Sequence, residues 1–318
     1  MAVELIQSKR PAALALSLLL VALAALISAC APTRVPFLTI VPQSSGPANG
    51  TIVLTAACPS GTTRLGGGYF VAPDGRNTGL VVRGSYPSDP NSWTLEVENT
   101  SPVPSDNSNF LVVAYCAQRA DLTLTATTQI TGSAAQFGTS LGPLPKVMID
   151  APCAAPAALT GGGFYLDGRL TSGDAPYNGG IVESAPDGSV WHVEFGEAAH
   201  PASTRLVRAY AVCTTGLQPG SMVEVSKIPA PPPPPEVNPI TVTEAICGPS
   251  SYTTAGGFRL NGNAHRDSDG TSTLYIERAF QSVATNDFER WNIQTLTLIP
   301  SIGGLAPVTA VALCAPIP

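Results

Sequence analysis

Side chains able to do chemistry are sparse in this chain, and three groupings stand out. The first is "CPSGTTRLGGGYF" (58–70), where a cysteine precedes a glycine triplet. A free thiol could act as a nucleophile, and a glycine-rich loop could cradle phosphate. The triplet lacks the Gly-x-Gly-x-x-Gly spacing and the Gly-Lys-Ser/Thr ending that phosphate loops need. The second is "NGNAHRDSDGTS" (261–272), where Asn261, Asn263, His265, Asp267 and Asp269 place polar side chains, mostly oxygen donors, on alternate residues. Calcium takes such ligands, which makes Asp267 and Asp269 a weak calcium candidate. An EF-hand match fails, because its first ligand would be His265 and its twelfth Ile276; the plain alternative is a polar hairpin tip. The third grouping is the three histidines. His192 alternates outward on a strand, where solvation is expected, while His200 and His265 fall in expected loops. No Gly-x-Ser-x-Gly, His-Glu-x-x-His or catalytic-cysteine signature occurs. No catalytic residue, metal or cofactor is assigned, and the chain reads as non-enzymatic.

The glycine triplet gains meaning from repetition. Setting Cys30 aside, six cysteines remain: Cys58, Cys116, Cys153, Cys213, Cys247 and Cys314. Cys58, Cys153 and Cys247 are spaced by 95 and 94 residues, and a glycine motif follows each: Gly66–Gly68, Gly161–Gly163, then Ala255-Gly256-Gly257. An aromatic comes next in every copy (Tyr69, Phe164, Phe258). Each copy has one tryptophan, Trp93, Trp191 or Trp291, with the second cysteine 23, 22 and 23 residues beyond it. Length varies between glycine and tryptophan (25, 28 and 34 residues), as in a common scaffold with variable loops. A nucleotide site has no need to recur three times. Room for an indole over bare backbone explains the glycines better.

This repetition selects the disulfides Cys58–Cys116, Cys153–Cys213 and Cys247–Cys314. Each would add about 4 kcal/mol in the chain-entropy account. Zinc is the competing use of cysteine. It is disfavoured because no two cysteines are closely spaced and histidine is rare.

The segment that positions the chain is its N-terminus. Lys9-Arg10 precedes "PAALALSLLLVALAALISAC", a basic start, an apolar run and small residues before a cut site. The ending Ile27-Ser28-Ala29-Cys30 resembles the lipobox of bacterial lipoproteins. That resemblance implies a signal helix and peptide over 1–29, and diacylglycerol on Cys30 after cleavage. It also implies a lipidated tether over 30–33 and a membrane-anchored place on the extracytoplasmic face of a bacterial envelope. Disulfides suit that compartment. The net charge of −6 becomes −7 once Glu4, Lys9 and Arg10 leave with the peptide. No basic patch exists to neutralise phosphates, so nucleic acid is not an expected partner.

The mature chain reads as all-β. Trp93, Leu95 and Val97 alternate with Thr94, Glu96 and Glu98, while Trp191, Val193 and Phe195 alternate with His192 and Glu194. Turn signals such as "PDG" at 73–75 and 186–188 separate the strands. Strand-like runs upstream of each first cysteine place the repeats at 34–118, 119–215 and 216–318. "PAPPPPP" (229–235) then falls inside the third repeat, although a linker reading stays open. Six or seven strands in about 95 residues predict three tandem disulfide-closed antiparallel β-sandwiches. The tryptophan lies too far past the first cysteine for an immunoglobulin domain, so a jelly-roll-like sandwich is preferred.

The unit resembles an uncharacterised repeat of secreted bacterial proteins, actinobacterial ones especially. Copy one carries its marks best: Cys58-Pro59-Ser60-Gly61, Ser85-Tyr86-Pro87 and Ala114-Tyr115-Cys116. Copy two keeps Ser184-Ala185-Pro186, and copy three has no Ser-x-Pro. The resemblance implies no catalytic residues. The leading expectation is a surface interaction or structural protein presenting variable loops to a protein or glycan partner. Carbohydrate binding is the alternative, and a secreted hydrolase with a site built across repeats ranks third.

Overall fold

The computed structural model describes residues 38–44, 50–72, 80–99, 109–118, 123–134, 146–167, 179–197, 205–217, 221–227, 240–260, 274–281, 290–297 and 308–316. The signal segment, Cys30, the proline stretch, Asp267, Asp269, His200 and His265 lie outside them. Among the described residues every regular element is a strand, and no helix is long and apolar enough to cross a membrane.

The described residues hold eighteen strands in three sets of six. The first set is β1 (Leu38–Ser44), β2 (Gly50–Ala57), β3 (Thr63–Ala72), β4 (Leu80–Asp89), β5 (Ser92–Asn99) and β6 (Asn109–Ala117). The second is β7 (Thr123–Ala134), β8 (Lys146–Pro152), β9 (Ala158–Asp167), β10 (Gly179–Asp187), β11 (Val190–Glu197) and β12 (Arg205–Thr215). The third is β13 (Ser221–Lys227), β14 (Ile240–Ile246), β15 (Ser251–Leu260), β16 (Leu274–Gln281), β17 (Arg290–Thr297) and β18 (Val308–Pro316). The expected alternation is clearest in β2, where Ile52, Leu54 and Ala56 are buried between exposed Val53, Thr55 and Ala57.

The strands form three antiparallel six-stranded sheets. Sheet I has the order β1-β6-β3-β16-β17-β14, sheet II β2-β5-β4-β9-β12-β7, and sheet III β13-β18-β15-β10-β11-β8. Each takes three strands from one repeat and three from another, which corrects the expectation of three self-contained sandwiches. Within a repeat two three-stranded layers do face each other, but every layer continues into a neighbour's. The joints are β4 with β9, β10 with β15 and β16 with β3, each two residue pairs long and in equivalent register. The physical reason is edge satisfaction. Left alone, each repeat would expose the unpaired edges of its third and fourth strands, and joining them in a ring pairs all six.

The glycine triplet makes this closure possible. A β-bulge precedes it in every copy, at Leu65, Thr160 and Thr254. The first triplet residues meet one another across the repeats: a Cβ on Gly66 would lie 2.9 Å from that of Ala255, and one on Gly161 would lie 2.8 Å from Gly66 Cα. The second residue carries its own repeat's tryptophan; a Cβ on Gly67, Gly162 or Gly256 would overlap the ring of Trp93, Trp191 or Trp291. The third accepts the preceding repeat, since a Cβ on Gly163 or Gly257 would overlap the Ser85 or Ser184 carbonyl. All three indoles are about 1% exposed. They and the second and third triplet residues line a cavity of about 20 Å³ between the repeats, about the room one water needs.

Two of the indoles are satisfied by the Ser-x-Pro serines. Trp93 Nε1–H donates to Ser85 Oγ at 2.9 Å and Trp191 Nε1–H to Ser184 Oγ at 3.0 Å. In the third repeat the matching register position is Ala279, opposite Ile293 as Ser85 is opposite Leu95. Trp291 Nε1 is buried without a partner among the described residues.

The three predicted disulfides are present, with Cα separations of 5.7, 5.5 and 5.6 Å. Each joins two different sheets. Cys58 follows β2 of sheet II and meets Cys116 in β6 of sheet I. Cys153 and Cys213 join sheets III and II, and Cys247 and Cys314 join sheets I and III.

Two outcomes are expected in urea unfolding. Gly162→Ala forces a methyl into an indole and should cost about 3 kcal/mol, the upper range for overpacking; a loss below ~1 kcal/mol would contradict the packing described. Ala279→Ser should supply the missing acceptor and raise stability by about 1 kcal/mol, an increment that should vanish in a Trp291→Phe background.

Candidate functional site

The signature residues are consumed by the core, so chemistry has to be sought on the outer faces of the sheets. There the three repeats carry different side chains at most matching positions.

On sheet II the outer face holds an ionic and aromatic cluster. Gly84 lacks a side chain where a Cβ would come within 2.8 Å of Tyr165 and 2.9 Å of Tyr86, so both rings lie over the strand. Tyr86 stacks on Tyr210 at 5.4 Å and meets the edge of Tyr165 at 5.1 Å. Arg83 sits at the bulge in β4. It reaches Glu96 and Glu98, both at 3.6 Å, and donates to the Leu166 carbonyl at 3.0 Å. Arg208 pairs with Asp167 at 3.0 Å. Both guanidiniums lie over the Tyr165 ring, at 5.9 and 5.2 Å. Glu96 and Glu98, expected to alternate into solvent, are therefore buried beneath Arg83 and Tyr165. The signal for this was present in sequence as an arginine and a glycine adjoining a Ser-Tyr-Pro, but nothing local showed that a neighbouring repeat would cover them.

Electrostatics follow from that burial. Desolvation raises the Glu96 carboxyl, opposed by Arg83 and reinforced by Glu98. Burial pushes the Tyr86 phenol up to about 12, with Glu96 adding to it, and raises Tyr165 and Tyr210 as well. Tyr69, in the core, is raised by desolvation alone.

On sheet III the strand order β15-β10-β11-β8 brings Arg259, Glu183 and Glu194 into one cross-strand row and Ala185, His192 and Asp150 into the next. Arg259 pairs with Glu183 and Glu224, each at 2.5 Å. His192 is not the solvated residue the alternation implied. Its side chain is 15% exposed, and Nδ1 lies 2.6 Å from Asp150 Oδ1. In the first repeat Thr55 and Thr94 occupy these two positions and share a 2.9 Å hydrogen bond between their hydroxyls. The register equivalents in sheet I are Glu244 and Asn292.

One further cation is buried at a single repeat. Arg64 packs over Trp93 at 5.9 Å and donates to the carbonyls of Asp89 and Ser92, the latter at 2.6 Å, tying β3 to the β4–β5 turn. Leu159 and Thr253 take its place elsewhere, so it is a local fastening.

Compared with known proteins, the chain matches no protein-family model and no curated sequence.

Tyr69, Tyr86, Tyr165 and Tyr210 should resist ionisation in a 295 nm absorbance titration. A raised phenol keeps its proton in the folded chain after the unfolded chain has lost it. The stability it contributes is complete below about pH 10 and is lost as pH rises through the folded value. Arg64, lowered to about 10 by burial, acts in the opposite direction and is outnumbered. Alkaline unfolding above about pH 10, with these phenols titrating late, is expected; all eight tyrosines titrating together while near-UV dichroism stays native would contradict it.

Proposed function

We propose that this chain is a non-catalytic, lipid-anchored envelope protein that presents its differing faces and loops to a partner on the extracytoplasmic side. The observation that carries the reading is how the repeat signature is used. The described cysteines, tryptophans and triplet glycines of the three copies have structural tasks in holding sheets together, while most side chains at matching outer positions differ. A scaffold held constant beneath divergent surfaces suits recognition or assembly. Diacylglycerol on Cys30 supplies the anchor, and the disulfides fit an oxidising compartment. The finer reading of each repeat as a jelly-roll-like unit now applies to the two facing layers of a repeat, joined to its neighbours.

Carbohydrate binding stays second. Tyr86 and Tyr165, half-exposed on sheet II, are the features that favour it. Their rings are already engaged by Tyr210, Arg83 and Arg208, and all three tryptophans are buried.

Mass spectrometry of the envelope fraction should find an N-terminal peptide starting at Cys30 and carrying diacylglycerol, absent after Cys30→Ser. Photo-crosslinkers at Val53 and Met148, exposed on β2 and β8, should give one discrete adduct in cells. Stoichiometric labelling of a side chain by hydrolase-directed probes would overturn the non-catalytic reading, and an unmodified Cys30 peptide would overturn the anchor.

A further inference from the structure

Sheet III carries a group of side chains that the fold does not require. Glu183, His192 and Glu194 each offer one ligand atom, and these atoms all lie within 4.8 Å of one another. Glu183 and Glu194 stand directly opposite on β10 and β11, where like charges repel. His192 is two residues from Glu194 on the same face. Around them the described partners are Asp150, Glu224 and Arg259. Glu194 is only 7% exposed, so its carboxylate lies at the buried end of the group.

The other sheets show that packing does not demand this set. The register equivalents of Glu183, His192, Glu194 and Asp150 are Gly84, Thr94, Glu96 and Thr55 in the first repeat. In the third they are Arg278, Asn292, Gln294 and Glu244. The same scaffold closes with all three sets, and the second alone places an imidazole between two carboxylates.

The Asp150 contact gives the imidazole a direction. A carboxylate 2.6 Å from Nδ1 holds the proton on that nitrogen and leaves the Nε2 lone pair available. That is how histidine ligands are oriented in metal centres. We infer that Glu183, His192 and Glu194 form a binding site for a borderline transition-metal dication of the zinc type, with Asp150 positioning the imidazole. The donor set is one nitrogen and two oxygens, which suits zinc better than calcium or magnesium. Zinc–ligand bonds of about 2.0–2.1 Å put ligand atoms about 3.3 Å apart. The group must therefore contract by up to about 1.5 Å, within the reach of rotations of the two glutamate side chains. Three protein ligands leave the fourth position for water, as in open rather than sealed zinc sites. Arg259 is the competitor: metal binding draws Glu183 away from it, and Glu224 stays as its partner.

The test is isothermal titration of ZnCl₂ into the full chain in detergent, with calcium and magnesium run alongside. One zinc per chain is expected, with no calcium or magnesium heat from this site. His192→Asn and Glu194→Gln install the residue types that the third repeat carries at these positions, so the fold should hold, as circular dichroism would check. Both should abolish the zinc isotherm. Asp150→Asn should weaken binding about 10- to 100-fold. Arg259→Gln, by freeing Glu183, should tighten it about tenfold. Absence of zinc binding, or an isotherm unchanged by His192→Asn, overturns the site. Weaker binding in Arg259→Gln overturns the assigned competition.

Discussion

Each indole occupies the volume that a side chain on the second triplet residue would fill. The ring lies on bare backbone of the facing layer, and there is no slack for a methyl group. The contact sets the distance between the two layers of a repeat, and the third triplet glycine sets the distance to the preceding repeat's backbone. Close approach of this kind is available only to glycine, whose conformational freedom costs roughly 0.5–1 kcal/mol per residue in a strand. The burial of a whole indole, about 3–5 kcal/mol on truncation, exceeds that cost. The rest of the molecule follows from these two spacings, because the sheets can share strands only if the repeats come this near to one another.

Closure also changes what the charged residues do. Glu96, Glu98 and Arg83 lie on strands that would have an open face in an isolated sandwich. Once β9 of the second repeat lies beside β4, Tyr165 and the Leu166 carbonyl complete their surroundings. Arg83 then bridges two repeats as well as two carboxylates. Burial of this kind adds little net stability and resists being broken in part. It fixes which strand edge meets which, and so favours one register for the joint.

Much of this was legible in the chain. The cysteine pairing, the burial of Trp93, Trp191 and Trp291, and the purpose of the glycines follow from spacing that recurs three times. Recurrence separates scaffold from loop without any other sequence for comparison. The sharing of sheets was not legible. An edge strand that pairs within its own repeat and one that pairs with a neighbour have the same alternation, and only two residue pairs make each joint. The sheet III group was missed for a related reason. His192 and Glu194 were visible as outward positions, but Asp150 and Glu183 come from other strands, 42 and 9 residues from His192. Their meeting depends on register, which the hydrophobic pattern fixes only once the sheet is known.

A ring differs from a row. In an open array of repeats each unit leans on its neighbours, and units can be gained or lost at the ends with modest consequence. Here the third repeat's β16 returns to the first repeat's β3, so the count of three is a condition of closure. Loss of one copy by recombination between the similar segments would leave two unpaired edges and an uncovered core, and gain of one would leave no place to insert it. Such a gene is expected to vary by drift between its copies and by loop length, while its copy number stays locked. The divergence seen among the three outer faces is the form of change that this geometry leaves open.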